Sequence, residues 1–382
     1  MNKTKILEKK IRQMVEGITF DDVLLLPNYT DFKRSEVDLS VDLHPSIKLK
    51  IPIISSPMDT VTEEKMAENM AENGGLGIIH RNLPIEKQVA MVKRIKNKLV
   101  KNKMAAVDKK NRLLVAAAVG VGEDFFERVK ALIKAEVDLL VLDSGHGFSK
   151  FIIEAAIFIK KNFPSIALMA GNIATKEGAG ALIKARVDIL RVGMGPGSIC
   201  TTRIITGMGV PQLTAIIEAV KEAKGKAKIV ADGGIKQPGD IAKALALGAD
   251  CVMLGSLLAG CDEAPGKIVV LNNKKYKQYR GMGSIAAMKK GAAERYGQNK
   301  NTNKKQLIAE GVEGLVEYKD SVSDYLYQLV GSLRSSFYYL GARNINEFFA
   351  KSRFIRISRA GIVESYPHSI VVTNFGENYN NK

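Results

Sequence analysis

The sequence predicts an α/β protein whose main body is a closed (β/α)8 TIM-type barrel with a long insertion after the eighth strand. The first observation is a series of eight short runs of apolar and β-branched residues, most of which end at or just before Gly, Ser, Asp or Asn. The second is that the segments between these runs carry apolar residues three or four positions apart, as helices do. The runs lie at 51–55, 77–80, 115–119, 139–143, 168–172, 189–193, 229–232 and 251–255.

Each run is apolar at consecutive positions, so both faces of each strand are expected to be buried, which is typical of a parallel sheet. Strict alternation of strands and helices favours a barrel over an open doubly wound sheet, which is the alternative. The predicted helices lie at 63–72, 85–95, 125–134, 149–161, 175–184, 211–224 and 239–247. Because chemistry in such barrels gathers at the carboxyl ends of the strands, the residues just after each run are candidates for a site.

Composition excludes several classes of protein. The chain has 382 residues, 46% of them hydrophobic and 25% charged, and is expected to form one catalytic barrel domain over 1–382. No apolar run approaches the roughly 20 residues of a membrane-spanning helix. The segment 1–16 lacks a secretory core and is predicted to be an amphipathic docking helix. Three cysteines without metal-binding or CxxC spacing exclude a disulfide scaffold, so a cytoplasmic location is expected.

The net charge of +17 raises the question of nucleic-acid binding. The basic residues are scattered, however, and the densest run, 93–110, contains no aromatic residue for base stacking. We therefore expect no nucleic-acid partner. A Lys-rich exterior can also steer anionic substrates towards a site.

A cysteine stands in a glycine-rich loop directly after the sixth strand. Glycines at 193, 195 and 197 precede Cys200, and this loop can turn its amides or carbonyls towards a bound ion. A thiol with a pKa of about 8.5 becomes a nucleophile when a positive charge or hydrogen-bond donor is near, and Arg191, Arg203 and Thr202 are candidates. The alternative is that Cys200 is an inert small hydrophobe, as we expect for Cys251 and Cys261.

Two glycine signals follow the seventh and eighth strands, namely Gly233-Gly234 after Asp232 and Gly255 before Ser256. Phosphate sites in this fold usually form at these two strand ends, so a phosphorylated small molecule is the predicted ligand. An ordinary pair of turns is the alternative.

Strand and helix alternation stops between 260 and 314, and this segment is predicted to be an irregular flap. An insertion this long in a compact domain is usually a lid or binding loop. Its Arg295-Tyr296 pair is predicted to deliver groups to the site, although spacing alone would favour an ordinary surface arginine.

These residues resemble the inosine-5′-monophosphate (IMP) dehydrogenase family, to which GMP reductase is related. The resemblance covers nearly the whole chain, through the segments 19–23, 56–60, 195–203, 231–235, 279–284 and 364–368. The cysteine loop is specific for both enzymes, whereas the Arg295-Tyr296 pair is typical of the dehydrogenase.

The resemblance implies NAD-dependent oxidation of IMP to xanthosine 5′-monophosphate. The Cys200 thiolate attacks C2 of the base, hydride passes to the nicotinamide, and a covalent thioimidate remains, as in covalent catalysis generally. The flap then closes, and water hydrolyses the adduct with Arg295 as base, held by Tyr296. Thr202 and Glu310 match an alternative proton relay, and Gly297 departs from the bulky residue that often follows the pair.

The resemblance also implies binding roles, residue by residue. The residues that match phosphate contacts are Ser198, Gly234, Gly255, Ser256 and Tyr279; Asp232 matches the ribose contact; and the residues that match the remaining substrate contacts are Ser56, Met58, Gly281, Met282, Gly283 and Glu310. The residues that match cofactor contacts are Asp143, Ser144, Asn172, Arg191 and Gly193, with Asn172 also near the base.

A potassium ion and a homotetramer are implied in the same way. The matching carbonyls are those of Gly195, Gly197 and Cys200, and a neighbouring subunit would contribute Glu364, Ser365 and Tyr366 from its C-terminal segment, 360–382. Tyr366 stands where related bacterial sequences have histidine, but a carbonyl ligand does not depend on the side chain.

Most family members insert two cystathionine-β-synthase modules between the second helix and the third strand. Only the short linker 97–114 lies there in this chain, too short for one module. The competing functions are GMP reductase, which would use NADPH and release ammonia, and a catalytically silent nucleotide-binding barrel.

Overall fold

The computed structural model describes residues 3–12, 14–299, 301–374 and 376. Parts of the predicted docking helix and of the C-terminal segment, namely 1–2, 13, 375 and 377–382, therefore lie outside the described residues.

A closed parallel barrel forms the centre of the molecule, as predicted. Eight strands, β4 to β11, pair in chain order, and β11 closes the ring against β4. Their ends differ from the predicted ends by at most two residues. In chain order the strands are β1 (Val23–Leu25), β2 (Val41–His44), β3 (Ile47–Leu49), β4 (Ile53–Ser55), β5 (Leu76–Ile79), β6 (Ala116–Val119), β7 (Leu139–Asp143), β8 (Ala167–Ile173), β9 (Ile189–Val192), β10 (Lys228–Asp232), β11 (Cys251–Leu254), β12 (Ile268–Leu271), β13 (Lys274–Arg280), β14 (Glu313–Glu317) and β15 (Phe354–Arg356).

Helices surround the barrel, and the one after β11 comes late in the chain. Around the barrel, α12 lies between α9 and α2 and packs against both. In the chain, α12 follows the whole insertion. The helices are α1 (Lys3–Arg12), α2 (Glu64–Glu72), α3 (Ile85–Lys96), α4 (Phe125–Lys134), α5 (Lys150–Asn162), α6 (Lys176–Lys184), α7 (Thr202–Thr206), α8 (Gln212–Ala223), α9 (Pro238–Ala246), α10 (Ser256–Ala259), α11 (Ile285–Lys290), α12 (Val322–Leu340), α13 (Ile345–Lys351) and α14 (Arg359–Glu364). No helix among the described residues is long and apolar enough to cross a bilayer.

Two hydrophobic layers explain why the strands are apolar on both faces. On β7, Leu139 and Val141 belong to the core inside the barrel, whereas Leu140 and Leu142 belong to the core between strands and helices. Side chains of a strand alternate between faces, so one run serves both cores. Complete burial of each such leucine contributes about 1.5–3 kcal/mol.

The amino end of the barrel is closed by a hairpin of β2 and β3, whose apolar side chains join the inner core. The connection 97–114 contributes to the same closure. Ala106 and Leu114 are buried in the inner core, and Val107 forms an antiparallel bridge with Leu113. This connection is therefore packed against the barrel.

The insertion is more regular than predicted. β12 and β13 lie within the segment 260–314 that we expected to be irregular, and they form an antiparallel three-stranded sheet with β14, which runs past the end of that segment. The turn between β12 and β13 consists of Asn272 and Asn273, both with positive φ, at 48° and 60°. Two adjacent residues with positive φ are typical of the tightest hairpin turn, and asparagine tolerates this conformation, so the sequence did contain the signal.

The amino-terminal helix forms, but it is not docked. Leu7 and Ile11 of α1 are each 56% exposed, and Met14 and Val15 are more exposed still. The apolar face of this segment is therefore exposed in the single chain, and its docking role stays a prediction.

Candidate functional site

A cavity of about 280 Å³ opens at the carboxyl ends of the barrel strands. This volume lies just below the usual range for ligand pockets. Two side chains of the flap, Arg295 and Tyr296, line the same cavity. Most of the predicted site residues line it: Ser56, Met58, Asn172, Arg191, Gly193, Gly195, Gly197, Ser198, Cys200, Thr202, Asp232, Gly234, Gly255, Ser256, Tyr279, Gly281, Met282, Gly283, Arg295, Tyr296 and Glu310. Folding thus collects residues from the loops after several strands at one place.

The remaining predicted residues do not line the cavity. Asp143 is buried and reaches the site through its arginine partners, and Ser144 lies beside it. Glu364 and Ser365 are exposed at the end of α14, and Tyr366 is half-buried just after it. These last three residues lie outside the cavity of their own chain.

Cys200 begins a chain of hydrogen bonds that crosses from the barrel to the insertion. Its Sγ lies 3.2 Å from Thr202 Oγ1, and Thr202 Oγ1 donates to Glu310 Oε2 over 2.9 Å. A β-bridge between Cys200 and Gly311 holds the two segments together. Because the hydroxyl of Thr202 donates its proton to Glu310, the oxygen of that hydroxyl can accept a hydrogen bond from the Cys200 thiol.

The other two cysteines have the surroundings of core residues. Cys251 is fully buried in the inner core, and burial raises the pKa of its thiol well above the usual value. Burial also raises the pKa of Cys261 to about 12. A raised thiol pKa lowers the thiolate fraction at neutral pH, so neither cysteine is prepared to react.

The opposite side of the cavity is polar and has unused bonding capacity. Tyr279 is hydrogen-bonded to Ser198, and burial raises the pKa of its phenol, which therefore stays neutral. The hydroxyl of Ser56 is buried without a hydrogen-bond partner among the described residues. Gly233 and Gly234 both have positive φ, at 91° and 80°. Buried polar groups are rarely left unpaired, so the arrangement fits a polar ligand.

A network of charges lies beneath the cavity. Arg191 donates from Nη1 to Asp143 over 2.6 Å and from Nε to Asp232 Oδ2 over 2.8 Å. Asn172 donates to the same Asp232 oxygen over 2.7 Å. The backbone at position 193 passes close to the carbonyl of Asp232, so a glycine is needed there because a Cβ would collide with that carbonyl. The network fixes the carboxylate of Asp232 at the cavity wall.

Arg295 enters this network from the insertion and forms an ion pair with Asp143. Burial works to raise the pKa of Asp143, but the guanidinium groups of Arg295, Arg191 and Arg81 outweigh it and hold that pKa well below its usual value. Burial works to lower the pKa of Arg295, but the Asp143 carboxylate outweighs it and raises the pKa. Arg295 is therefore a stable cation in this arrangement.

Tyr296 lies next to Arg295 and packs against the loop after β7. A Cβ at Gly145 would be 3.4 Å from the Tyr296 ring, and the amide of Gly145 donates to the Arg295 carbonyl over 3.3 Å. Burial raises the pKa of Tyr296, although Arg295 works to lower it. The flap thus covers residues that we predicted to contact the cofactor.

Three residues around the site received no role from the sequence. Thr19 and Lys236 line the cavity, and Arg81 lies 3.9 Å from Asp143. Arg81 directly follows a barrel strand, so its position made it a candidate, but no spacing pointed to its partners. Lys236 comes two residues after a glycine pair, a position compatible with an ordinary turn.

A free thiol on a glycine-rich loop at the carboxyl rim of a parallel barrel, facing a polar cavity closed by an arginine, is an arrangement typical of a barrel enzyme. The sequence of the chain matches the family model described as the IMP dehydrogenase / GMP reductase domain over residues 17–368. The chain belongs to this family, and its curated relatives place it with the oxidoreductases named inosine-5′-monophosphate dehydrogenase.

Among these relatives, the protein of Aquifex aeolicus is 40% identical, with 98% of this chain and 99% of the relative covered. The protein of Methanocaldococcus jannaschii is 40% identical, with 97% and 99% covered. The protein of Borreliella burgdorferi is 44% identical, with 93% and 97% covered. The alignment with the Aquifex protein spans 490 positions, whereas that with the Borreliella protein spans 394. A chain of 382 residues has the length of a form without the module pair.

Proposed function

We propose that the chain oxidises IMP to xanthosine 5′-monophosphate with NAD, through a covalent thioimidate on Cys200. The observation that carries this proposal is the hydrogen-bonded chain from Cys200 through Thr202 to Glu310, at a cavity that also receives Arg295 and Tyr296. Barrel and insertion must both be folded for this set to form.

The first step needs a thiolate at Cys200. The thiol can pass its proton to Thr202 Oγ1, while the Thr202 proton moves to Glu310 Oε2, over 3.2 and 2.9 Å. The thiolate then attacks C2 of the purine, and C2 loses hydride. Splitting the reaction in this way separates oxidation from hydrolysis, so each barrier is smaller.

The substrate phosphate would be held by Ser198, Gly234, Gly255, Ser256 and Tyr279, and Asp232 would accept the ribose hydroxyls. This side of the cavity contains the unpartnered hydroxyl of Ser56 and the glycines with positive φ. The base would lie between these contacts and Cys200, with Met58, Gly281, Met282 and Gly283 around it.

NAD would be held by Asp143, Ser144, Asn172, Arg191 and Gly193, and when bound it supplies the acceptor for hydride. These residues suit such a ligand, because Asn172 Oδ1 is a buried acceptor without a partner among the described residues. Arg295 and Tyr296 cover part of this region, so the flap must withdraw for the cofactor to bind.

Hydrolysis needs a base for the attacking water, and we assign this role to Arg295 with Tyr296 beside it. The Asp143 ion pair raises the pKa of Arg295, so the pair must loosen before Arg295 accepts a proton. Thr202 and Glu310 remain as the alternative acceptor. Turnover against pH in Arg295→Ala and Glu310→Gln separates them, because the variant that lacks the true base loses the rise in rate with pH.

We further propose a potassium ion at the carbonyls of Gly195, Gly197 and Cys200. Carbonyl oxygens suit this hard cation, and Gly195 has a positive φ of 81° that a loop of this kind requires. A neighbouring chain of a homotetramer would complete the site with Glu364, Ser365 and Tyr366. These three residues lie outside their own chain's cavity, which is consistent with a contribution to another subunit. A cytoplasmic enzyme remains the expectation.

One assay tests the activity against its alternatives. Purified protein is given IMP with NAD, or GMP with NADPH, and absorbance at the nicotinamide band is followed. We expect reduction of NAD that depends on IMP and is absent in Cys200→Ala. Oxidation of NADPH with GMP would instead identify a GMP reductase, and neither reaction would identify a silent barrel.

A further inference from the structure

An acidic residue directly before Arg295 contacts a guanidinium of the barrel that the proposed mechanism does not use. Glu294 belongs to the 3-10 turn Ala292–Tyr296, and its Oε2 lies 3.8 Å from Arg81 Nη1. Arg81 follows β5, and its side chain is only 11% exposed. The contact joins the flap insertion to the barrel rim beside the Arg295–Asp143 pair.

The barrel leaves room for both partners at two glycines of the loop after β6. A Cβ at Gly120 would collide with the guanidinium of Arg81, and a Cβ at Gly122 would collide with the carboxylate of Glu294. Both side chains are therefore seated against this loop, and the loop fixes where they meet.

The charges around Asp143 explain what Glu294 contributes. Three guanidinium groups surround this one buried carboxylate, those of Arg81, Arg191 and Arg295. Asp232 offsets Arg191, and Glu294 offsets Arg81. Without Glu294, the docked flap would bring Arg295 close to an Arg81 that shares Asp143 with it and has lost its own nearest carboxylate, and like charges repel.

We propose that Glu294, through Arg81, positions the flap over Asp143 and so sets how readily the cofactor displaces it. Glu294 and Arg81 are positioning residues, because neither needs to touch the reacting atoms. The inference rests on the proposed function only in that the covered region is taken as the cofactor site. Removal of the Glu294 carboxylate favours the withdrawn flap.

The matched variants are Glu294→Gln and Glu317→Gln. Both remove one carboxylate from the same insertion, but Glu317 is exposed on β14 and away from Arg81. A partly exposed ion pair supports changes of about two- to five-fold. In Glu294→Gln we expect the KM for NAD to fall by this factor. When enzyme is mixed rapidly with IMP and NAD, the first turnover should release NADH as a burst of unchanged size. The steady phase that follows, which reports hydrolysis, should be slower by the same factor. Glu317→Gln should match the parent.

A double-mutant cycle tests whether Glu294 acts through Arg81. If it does, Glu294→Gln has no further effect on the NAD KM in a chain that already carries Arg81→Gln, since coupled residues are not additive. Full additivity would overturn the proposal, and so would equal behaviour of Glu294→Gln and Glu317→Gln.

Hydrogen exchange separates this inference from the proposed function, because it needs no turnover. Amides of 291–299 in the ligand-free protein should exchange about two- to five-fold faster in Glu294→Gln than in the parent. Faster exchange without any IMP-dependent reaction would support the positioning role of Glu294 and reject the proposed function. Normal activity with unchanged exchange and unchanged NAD KM would reject the positioning role alone.

Discussion

Both ends of the barrel bury carboxylates among cations, and the two clusters differ in where the cations come from. At the amino end, Lys96 lies 3.0 Å from Asp108 and 2.6 Å from Asp138. All three come from the barrel or from the packed connection 97–114. At the carboxyl end, Asp143 is shared by Arg191 of the barrel and by Arg295 of the insertion.

The second difference is in polar atoms that have no partner. At the carboxyl end, the hydroxyl of Ser56 and the Oδ1 of Asn172 are buried and find no partner in the described part of the chain. At the amino end, Asp108 and Asp138 also accept backbone amides, from Arg112 and Val115. A network in which every polar group has a partner stabilises the fold. A network with unpaired polar groups can form hydrogen bonds to a ligand. Substitutions should therefore affect activity at one end and stability at the other.

The largest effect on activity is expected for Cys200→Ala. Turnover should disappear because no other cysteine is accessible, while IMP binding should persist because all of its proposed phosphate contacts except Ser198 lie on other loops. Calorimetry with IMP and an NAD reduction assay measure the two properties. Cys251→Ala is the control and should alter stability more than rate, since Cys251 is fully buried in the inner core. NAD reduction near the parental rate in Cys200→Ala would remove the nucleophile assignment.

Arg295→Ala comes next. It should spare hydride transfer and slow hydrolysis, and a base in one step contributes about 10²–10⁴-fold. Rapid mixing with IMP and NAD should give an NADH burst close to one per site, then a slow phase, with the adduct trapped on Cys200. A missing burst in a folded variant, or full steady-state turnover, would contradict the role given to Arg295.

At the amino end, Lys96→Met should leave two largely buried carboxylates without their shared cation, with Arg112 still paired to Asp108. Because one of the two carboxylates keeps a partner, we expect the loss at the lower end of the range for a broken buried pair, about 3 kcal/mol of unfolding free energy. Denaturant titration measures this loss, and kcat of the folded fraction should stay at the parental value. Lys110→Met is the control, because the Lys110–Glu136 pair is exposed. If Lys96→Met changed kcat instead of stability, the two ends would not be separable.

The smallest effect is expected from the C-terminal segment, which would act on another subunit's site. A chain that ends after Arg359 should lose a few-fold of its activation by potassium, and a chain that ends after His368 should keep it. Rates in potassium and in choline salts measure the difference. Identical potassium dependence in the two folded chains would move the cation site away from residues 364–366.

The carboxyl-end residues were largely predictable, because the βα alternation assigned strand ends and the loop around Cys200 carried its own signal. The sequence could not predict the partners of Arg81, since Glu294 is more than 200 residues away and the contact depends on two glycines of a third loop. The exposure of the apolar face of α1 could not be predicted, for another reason. Helical spacing predicts an apolar face but not the surface that covers it.

The bridge between Val107 and Leu113 has a consequence for building larger proteins from this one. It brings the two arms of the connection side by side, and the tip between them, Lys109 and Lys110, is exposed at the end of the barrel remote from Cys200. A guest domain whose own termini are adjacent can be spliced between these two lysines with little disturbance of either fold, because exposed loop tips tolerate insertion. We therefore expect an accessory module to be gained or lost at this place with little change at the site around Cys200.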